Sequence, residues 1–478
     1  MSVDVKEFIP LMPEIFLLSM ACIILIVDLY LSDANRSITY GLSVISLAIT
    51  GLITFQLMPT SPEVVLAGTF VSDQMSAVLK MFVYLVTAIV MVYSGKYLKD
   101  RSIYKGEFFV LVLFGVLGMM VMISAHSMLT IYLGLELLSL CLYALVAMHR
   151  DSMNATEAAM KYFILGALAS GLLLYGMSML YGASGTLDLG ELAKFIAAGD
   201  QTDLVLLMGA VFVVVGLAFK LGAVPFHMWV PDVYHGSPTA TTLFIGTAPK
   251  LAGFAMIMRL LVEGMGDLHA HWQEYLIILA VLSMVIGNVI AIAQTNLKRM
   301  LAYSTIAHMG FVLLGILAGN EQGYSAAMFY TIAYAIMGLG GFGMILLLSR
   351  KGFEAEDLND FKGLNDRSPW FAFMMLIFLF SMAGVPPTLG FYAKLAVLQA
   401  VVNIEMVWLA IVAVIFSIVG AFYYLRAVKI MYFDKAEDHS PITSSADMRA
   451  TLSANGLLVV ALGIYPSGLI ALCVQVFS

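Results

Sequence analysis

Long apolar stretches recur through the whole chain and leave few folds open to it. Each is about 20 residues long, which is the length that a helix needs to cross the hydrocarbon core of a bilayer. The 478 residues are 61% hydrophobic and only 12% charged, whereas a water-soluble domain carries about 25% charged residues. We therefore predict an all-α polytopic membrane protein.

Counting these stretches between polar breaks predicts about fourteen transmembrane helices. The predicted spans are 10-31, 37-57, 75-95, 107-125, 127-148, 156-181, 204-235, 238-262, 273-294, 299-318, 324-349, 369-402, 405-431 and 451-472. An even number of spans places both termini on one side. The chain starts with Asp4, Lys6 and Glu7 rather than a basic cluster, and its first apolar run is too long for a signal-peptide core, so we expect no cleaved leader.

The basic residues predict which side is cytoplasmic. One side holds only Lys6, Lys194 and Arg259. The other side collects Arg36, Lys96, Lys99, Arg101, Lys105, Arg150, Lys298, Arg299, Arg350, Lys351, Lys362, Arg367, Arg426, Lys429, Lys435 and Arg449. Because loops rich in Lys and Arg stay in the cytoplasm, we predict that this second side is cytoplasmic and that both termini face outward. The net charge of -7 gives no support for nucleic-acid binding.

The remaining basic residues fall inside predicted spans. They are Lys80, Lys161, Lys220, Lys250 and Lys394. An ionised group inside a bilayer costs several kcal/mol, so it persists where it lines a cavity, has a partner or moves a proton. These lysines are the first candidates for a functional site.

Two predicted spans are too long for straight crossings and contain helix-breaking residues. Proline removes a helical hydrogen bond and clashes with the preceding turn, so we expect spans seven and twelve to be broken helices. The interruptions are Gly222-Ala223-Val224-Pro225 and Gly384-Val385-Pro386-Pro387.

The two breaks lie five helices apart, and a short sequence similarity accompanies them. Ala158-Ala159-Met160-Lys161-Tyr162 in span six resembles Ala326-Ala327-Met328-Phe329-Tyr330 in span eleven. A repeat with an odd number of crossings has an inverted second copy. We predict inverted repeats of helices 4-8 and 9-13. The corresponding domains are an N-terminal three-helix segment at 1-106, repeats at 107-262 and 273-431, and a loop with the C-terminal helix at 432-478.

Glu136 is the acidic residue that best fits a proton pathway. It lies about 13 Å from the outer end of its predicted helix. We expect it to pair with Lys220, so that opening and closing of the pair changes the affinity of the amine for a proton. The alternatives are a carboxylate held by a neighbouring hydroxyl, and a fixed structural ion pair.

The other lysines continue this predicted route from cytoplasm to exterior. Lys250 is about twelve residues from either helix end, too deep for its side chain to reach water, which suits a proton relay. Its alternative role is a static amine bound to a carbonyl. Lys394 lies beyond the second break, and it is either a relay or an outer-face anchor. Lys161 lies near the cytoplasmic end of its helix, where it either reaches the interface or modulates the Glu136–Lys220 pair.

Two histidines are candidates for bridging the lysines, because imidazole exchanges protons near neutral pH. These are His227, just after the first break, and His308; for each, the alternative is a hydrogen-bonded interior histidine. Lys80, Glu14 and Asp28 lie outside the repeats, and we interpret them as structural pairs or as contacts with neighbouring subunits. Cys22, Cys141 and Cys473 have no metal-binding spacing, so we expect no iron-sulfur centre, haem or disulfide.

Several segments together resemble a known family, the antiporter-like, proton-translocating membrane subunits of respiratory complex I, which are related to Mrp-type cation/proton antiporters. The resemblance covers nearly the whole chain. Its most specific parts are Leu133-Gly134-Leu135-Glu136-Leu137, residues 155-166 (ATEAAMKYFILG), residues 219-229 (FKLGAVPFHMW) and Gly384-Val385-Pro386-Pro387.

The resemblance implies a glutamate on helix five, lysines on helices seven and eight, and an ionisable residue on helix twelve. These fall here on Glu136, Lys220, Lys250 and Lys394. It also implies a subunit of a proton-translocating NADH:quinone oxidoreductase, with lipids and other membrane-arm subunits as partners, including the antiporter-like subunit M and small subunits such as K. Flavin, iron-sulfur clusters and quinone are then expected in other subunits, and no Gly-rich phosphate loop follows a strand here.

Two alternatives remain open at this stage. One is a Mrp-type Na⁺/H⁺ antiporter subunit that exchanges cations through the same pathway. The other is a structural membrane subunit without a channel of its own.

Overall fold

The structure, a computed structural model, describes residues 5–478, with side chains from Lys6 onwards. The expectation about a leader falls partly on residues 1–4, which lie outside the described part. This described part forms twenty α-helices, together with short 3-10 segments, one π-helical turn and one two-stranded hairpin. The hairpin joins β1 (Glu63–Val65) to β2 (Phe70–Ser72) in antiparallel register.

The helices account for most of the described chain. In order they are α1 (Met12–Leu29), α2 (Ser37–Gln56), α3 (Gln74–Asp100), α4 (Gly106–Ile123), α5 (Met128–Val146), α6 (Met153–Ser184), α7 (Leu189–Ala198), α8 (Leu204–Leu221), α9 (Trp229–Gly236), α10 (Thr239–Gly246), α11 (Ala248–Ile257), α12 (His269–Ile292), α13 (Leu297–Leu317), α14 (Glu321–Leu348), α15 (Leu364–Arg367), α16 (Pro369–Ala383), α17 (Leu389–Asn403), α18 (Val407–Phe433), α19 (Ala446–Ile464) and α20 (Ser467–Phe477).

The predicted all-helical membrane architecture is confirmed. Within residues 5–478, 13 helical segments are long and apolar enough to cross a membrane. The shorter apolar helices α16 and α17 lie on either side of the second predicted break. The amphipathic helix α7 lies between two crossings and buries Leu189, Leu192 and Ile196.

Both predicted breaks are present, and their backbone geometry is the same. α8 ends at Leu221 and α16 at Ala383, and the following residues, Gly222 and Gly384, have left-handed φ values of 79° and 87°. Only glycine adopts this conformation without strain. In each case the N–H groups of the glycine and of the next residue bond back to the last helical turn, which is a common way to end a helix.

Two predicted spans that were taken as continuous are interrupted. The span predicted at 238-262 breaks at Thr247, between α10 and α11, and continues as a π-helical turn at Met258–Glu263. The span predicted at 451-472 breaks at Tyr465, between α19 and α20. Pro249 and Pro466 follow these breaks, and a proline inside a helix cannot donate to the preceding turn.

The bundle has a buried centre and an apolar periphery. In the most apolar stretch of each helix, 100% of the residues of α14 and 94% of those of α13 are buried. In α1, α6, α18 and α19, 33% of these residues are buried. The span formed by α10 and α11 is also 94% buried. The central helices therefore carry Lys250 and His308 away from the surface that an acyl chain can reach.

A polar junction fixes the start of α10. Glu354, in the loop after α14, accepts hydrogen bonds from the Tyr97 hydroxyl at 3.0 Å and from Arg101 Nη2 at 2.5 Å. The Thr239 hydroxyl also donates to Glu354. Because Thr239 is the first residue of α10, this junction helps to set the position of the span that carries Lys250.

Asp438 anchors the loop after α18 to two arginines in the segment that follows α14. Its carboxylate accepts hydrogen bonds from Arg350 Nη1 at 2.8 Å and Arg367 Nη1 at 2.7 Å. The hydrogen bond from Arg350 is the largest influence that holds the pKa of Asp438 below its usual range. The two arginines thus keep the carboxylate ionised. This maintains the contact between the loop after α18 and the segment after α14.

Candidate functional site

Glu136 and Lys220 line one small cavity between α5, α6 and α8. Lys220 Nζ donates to Ser139 Oγ at 3.3 Å, and the Ser170 hydroxyl donates to Glu136 Oε1. The cavity has a volume of about 20 Å³. Among the described residues, no nitrogen–oxygen distance of 4.0 Å or less joins Glu136 to Lys220. The two predicted partners are therefore brought into one cavity, with hydroxyls beside each, but they are not in direct contact.

A glycine makes this cavity possible. Gly166 of α6 lies against Tyr143 of α5, and a Cβ atom at residue 166 would come within 2.0 Å of the Tyr143 hydroxyl oxygen. The absence of a side chain lets the phenol enter the cavity wall beside Ser139 and Ser170. The sequence analysis identified Glu136 and Lys220 but not these hydroxyls.

Lys250 is held by the end of the broken helix. Its side chain belongs to the first turn of α11, it is 2% exposed, and Nζ donates to the Leu221 carbonyl oxygen at 2.9 Å. Leu221 is the last residue of α8, where the carbonyl groups of the last turn lack helical partners. The ammonium also lies 5.5 Å from the centre of the Trp229 ring. The break in span seven thus supplies the only described acceptor of Lys250.

Lys394 meets the end of the other broken helix in the same way. Nζ donates to the Ala383 carbonyl at 2.9 Å and to Ser417 Oγ at 2.9 Å. Ala383 is the last residue of α16. The Phe311 ring lies 5.3 Å below the ammonium. Lys394 itself is partly buried and lines a second cavity with His308.

His308 lies at the centre of a cluster of tyrosines. Its Nδ1 is 2.7 Å from the Tyr330 hydroxyl and its Nε2 is 3.2 Å from the Tyr424 hydroxyl. The Tyr424 hydroxyl also shares a hydrogen bond with Ser304. The imidazole is 3% exposed. Neither tyrosine was predicted from the sequence, although Tyr330 aligns with Tyr162 in the short similarity between residues 158–162 and 326–330.

Lys161 lies outside the first cavity, at the surface. Its side chain is 44% exposed and pairs with Glu157 at 2.9 Å and with Asp232 at 2.8 Å. Asp232 also pairs with Arg299 at 2.7 Å. The structure therefore places Lys161 in a charged cluster that joins α6, α9 and α13, and Asp232 is a member of it that the sequence analysis missed.

His227 is not brought between the lysines. It lies half-buried in the turn after the first break, beside the exposed Pro225 and Met228. Its Nδ1 is buried without a hydrogen-bond partner among the described residues. It lines neither of the two cavities. The bridging role of His227 stays a prediction.

The charged residues of the first three helices pair within the chain. Lys80 Nζ lies 2.5 Å from Glu14 Oε1, and both side chains are buried. Asp28 accepts a hydrogen bond from Thr39 at 2.6 Å and lies 3.4 Å from Arg36. These contacts match the interpretation of structural pairs.

The described residues contain no obvious metal site. No group of three or more His, Cys, Asp or Glu side chains within residues 5–478 has the arrangement of metal ligands. The cysteines at positions 22, 141 and 473 are free, and two of them are buried among apolar side chains. The chemistry of the two cavities thus rests on amines, hydroxyls, one carboxylate and one imidazole.

Comparison with known proteins gives consistent matches along the chain. The family described as NADH:quinone oxidoreductase/Mrp antiporter, transmembrane, matches residues 125–420. NADH-quinone oxidoreductase subunit N of Thioalkalivibrio sulfidiphilus is 64% identical, with 100% of each chain covered. The protein of the same name from Thiobacillus denitrificans is 62% identical over 99% of this chain and 98% of its own.

Solved structures share the fold. A chain of respiratory complex I from Thermus thermophilus with bound aureothin has a TM-score of 0.83 and 30% identity, covering 96% of this chain and 99% of that one. A chain of the Mrp complex from Dietzia has a TM-score of 0.84 at 20% identity, covering 99% and 97%, and this second likeness concerns the fold alone. With full-length relatives above 60% identity and the cavities described above, the chain belongs to the subunit N family of NADH-quinone oxidoreductase.

Proposed function

We propose that this chain is a membrane-arm subunit of a proton-pumping NADH-quinone oxidoreductase and that it moves protons from the cytoplasm to the periplasm. The names of the full-length relatives supply the complex. The observation that carries the transport role is Lys250, a lysine 2% exposed at the centre of the bundle whose Nζ donates to a main-chain carbonyl. A cation so placed is costly to maintain, so it marks a pathway.

The first cavity controls the charge of Lys220. A carboxylate within about 4–6 Å of an amine favours the ammonium, and withdrawal of the carboxylate favours the neutral amine. Ser139 and Ser170 provide hydroxyls that hold Lys220 and Glu136 apart within one cavity. Movement of α5 against α8 would bring the two groups together or separate them. Energy from electron transfer in other subunits would then reach this module as a change in the local field.

Lys250 receives the proton that Lys220 releases. Burial opposes the ammonium, while the Leu221 carbonyl and the Trp229 ring favour it. Because these influences oppose each other, a modest change in the local electric field is enough to protonate or deprotonate the amine. When Lys220 is also protonated, repulsion between the two cations drives the proton onward.

The second cavity passes the proton from His308 to Lys394. The imidazole can accept a proton on one ring nitrogen and donate from the other, and the hydroxyls of Tyr330 and Tyr424 contact both nitrogens. The carbonyl end of α16 stabilises the charge on Lys394, because the C-terminus of a helix carries partial negative charge. Release to the periplasm follows from there.

Lys161 acts from outside this route. Its ammonium is neutralised by Asp232 and Glu157, so we propose that it modulates the field at the cytoplasmic mouth through Asp232. The alternative, a lysine that simply reaches the interface, predicts no effect on transport.

The wider arrangement follows from the same interpretation. We propose that helices 4-8 and 9-13 are inverted repeats, with domains at 1-106, 107-262, 273-431 and 432-478. The matching glycine geometry at the two breaks supports this proposal. We also propose a bacterial inner-membrane location with periplasmic termini, on the distribution of basic residues, and contacts with the antiporter-like subunit M and with small subunits such as K. NADH, flavin, iron-sulfur and quinone sites belong to other subunits in this proposal.

Sodium–proton exchange is the less well supported alternative. The relatives at 53% to 64% identity carry the subunit N name, whereas the likeness to the Mrp complex stands at 20% identity. Sodium dependence of transport in vesicles would favour that alternative. A structural subunit without a channel is tested by the substitution that follows.

The test replaces Lys250 by alanine in the assembled complex. Inverted membrane vesicles energised with NADH are expected to lose most proton uptake, while NADH oxidation with an artificial acceptor shows that the redox part is intact. Lys194→Ala is the matched control, since Lys194 is 76% exposed and pairs only with Glu191. Full proton uptake by an assembled Lys250→Ala complex would overturn the proposed function.

A further inference from the structure

A buried tyrosine lies between Lys250 and His308, and the route above does not use it. Tyr234 belongs to the short helix α9 and is 0% exposed. Its ring lies 6.3 Å from that of Trp229, which lies beneath the Lys250 ammonium. On its other side it lies 5.8 Å from the ring of Phe342 in α14. Tyr234 therefore lies at the contact between the two halves of the molecule.

The hydroxyl of Tyr234 forms no hydrogen bond of normal geometry with any described residue. Buried tyrosine hydroxyls usually find a partner, and leaving one unpaired costs about 1–3 kcal/mol. Phenylalanine would fill the same space without that cost. Packing alone therefore does not explain a tyrosine at this position.

Groups able to exchange a proton face this hydroxyl from the second half. Tyr334 and, from α6, Tyr162 act electrostatically on the phenol of Tyr234, and the side chain of Thr305 lies within reach of a hydrogen bond to it. The hydroxyls of Thr305 and Tyr334 are hydrogen-bonded to each other at 2.6 Å. The Tyr334 ring lies 5.2 Å from the His308 ring. The hydroxyl pair of Thr305 and Tyr334 thus lies near both Tyr234 and the ring of His308.

The break at Thr247 brings the same groups close to Lys250. A Cβ atom at Gly246 would meet the Tyr234 ring at 3.4 Å. A Cβ atom at Gly338 would meet the Thr247 side chain at 3.3 Å and Tyr334 Cζ at 3.9 Å. Lys250 follows Thr247 by three residues, in the first turn of α11. Any shift of α11 at this break changes the distance between the amine and the phenol.

We infer that Tyr234 is a proton-relay residue that joins Lys250 to the Thr305–Tyr334 hydroxyl pair and to His308. The inference deepens the proposed function and rests on it. In the step, the ammonium of Lys250 gives a proton to the phenol oxygen, directly or through a water molecule, as the phenol gives its own proton to the next oxygen. Lys250 becomes neutral, Tyr234 is unchanged, and the positive charge arrives at His308.

The test is Tyr234→Phe, which removes one oxygen atom and keeps the ring. The complex is expected to assemble and to oxidise NADH with an artificial acceptor at the unaltered rate, because the substitution keeps the ring and breaks no hydrogen bond of normal geometry. NADH-driven proton uptake into inverted vesicles is expected to fall about tenfold or more, since a positioned proton-transfer group contributes at least that much. Tyr93→Phe is the control, a buried tyrosine of α3 whose hydroxyl faces Asn455 instead.

The outcomes separate this inference from the function on which it rests. Normal uptake by Tyr234→Phe, with uptake lost in Lys250→Ala, overturns the relay and leaves the proposed function standing. Normal uptake in both variants overturns the proposed function itself. A Tyr234→Phe complex that fails to assemble, while Tyr93→Phe assembles, would show that the hydroxyl is structural and would also overturn the relay.

Discussion

The two cavities solve the problem of holding a cation inside a membrane in different ways. The first contains a carboxylate, Glu136, near Lys220, with serine hydroxyls between them. The second contains Lys394 and His308 but is lined by no acidic residue. Both halves nevertheless place an ammonium on the carbonyl of the last residue before a helix break, Lys250 on Leu221 and Lys394 on Ala383.

This difference shows which part of each half can be switched. A carbonyl at a helix end is a fixed partial charge that belongs to the backbone. A carboxylate on a helix that can move is a full charge whose distance can change, and at short range its effect on an amine is much larger. The first cavity is therefore suited to receive the energy of electron transfer, and the second to pass on a proton that it has been given.

Neutralising the acid of the first cavity should have the largest effect. Glu136→Gln removes the charge and keeps an oxygen for the Ser170 hydroxyl. Lys220 then loses the carboxylate that shares its cavity, so NADH-driven proton uptake into vesicles is expected to fall about tenfold or more, given that about 1.4 kcal/mol corresponds to a factor of ten. Glu136→Asp is the control and should keep a large part of the rate. Unaltered uptake in the glutamine variant would remove the distinction between the cavities.

Adding an acid to the second cavity should be nearly as harmful. Ser417→Asp places a carboxylate where a hydroxyl now accepts from Lys394 at 2.9 Å. A close carboxylate favours the ammonium, so the proton should remain trapped on Lys394 and uptake should fall roughly fivefold or more. Ser417→Ala, which removes the acceptor without adding charge, should reduce uptake less. Normal proton uptake by Ser417→Asp would show that the lack of an acidic residue in the lining of the second cavity does not matter for transport.

Removing a tyrosine hydroxyl from the second cavity should have a moderate effect. Tyr424→Phe leaves His308 Nε2 without its hydrogen-bond partner at 3.2 Å. One such hydrogen bond contributes about 1 kcal/mol, so uptake is expected to fall roughly threefold to fivefold. Tyr423→Phe is a neighbouring control, because its hydroxyl donates to Asn288 at 3.1 Å rather than to the imidazole. Equal losses in both variants would point to packing rather than to proton exchange.

Lys161→Ala should have the smallest effect of the four. Its side chain is 44% exposed and its charge is already balanced by Glu157 and Asp232. Proton uptake is expected to fall about twofold, because exposed ion pairs contribute about 1 kcal/mol or less. No change at all would favour a lysine that only reaches the interface. A loss of proton uptake as large as that in Glu136→Gln would instead show that Lys161 acts on the Glu136–Lys220 pair.

Much of the candidate site was predictable because it departs from an apolar background. Lys220, Lys250 and Lys394 lie in apolar spans where a charge is costly. The breaks at Gly222 and Gly384 are predictable because glycine and proline residues interrupt a helix there. The tyrosines were not predictable, because Tyr330, Tyr334 and Tyr424 look like the many other aromatic residues that fill a membrane bundle. The interruption at Thr247 was missed although Pro249 signals it.

By itself the sequence determined the membrane-spanning helices, the two glycine-proline breaks and the identity of the buried amines. It could do so because hydropathy and backbone chemistry are local properties of the chain. Only the tertiary structure decided which atom each amine meets, that Glu136 and Lys220 share a cavity without touching, and that Lys161 and His227 lie apart from it. Those results depend on how α5, α8, α11 and α16 pack, and packing between helices distant in sequence is set by the shape of all their side chains together.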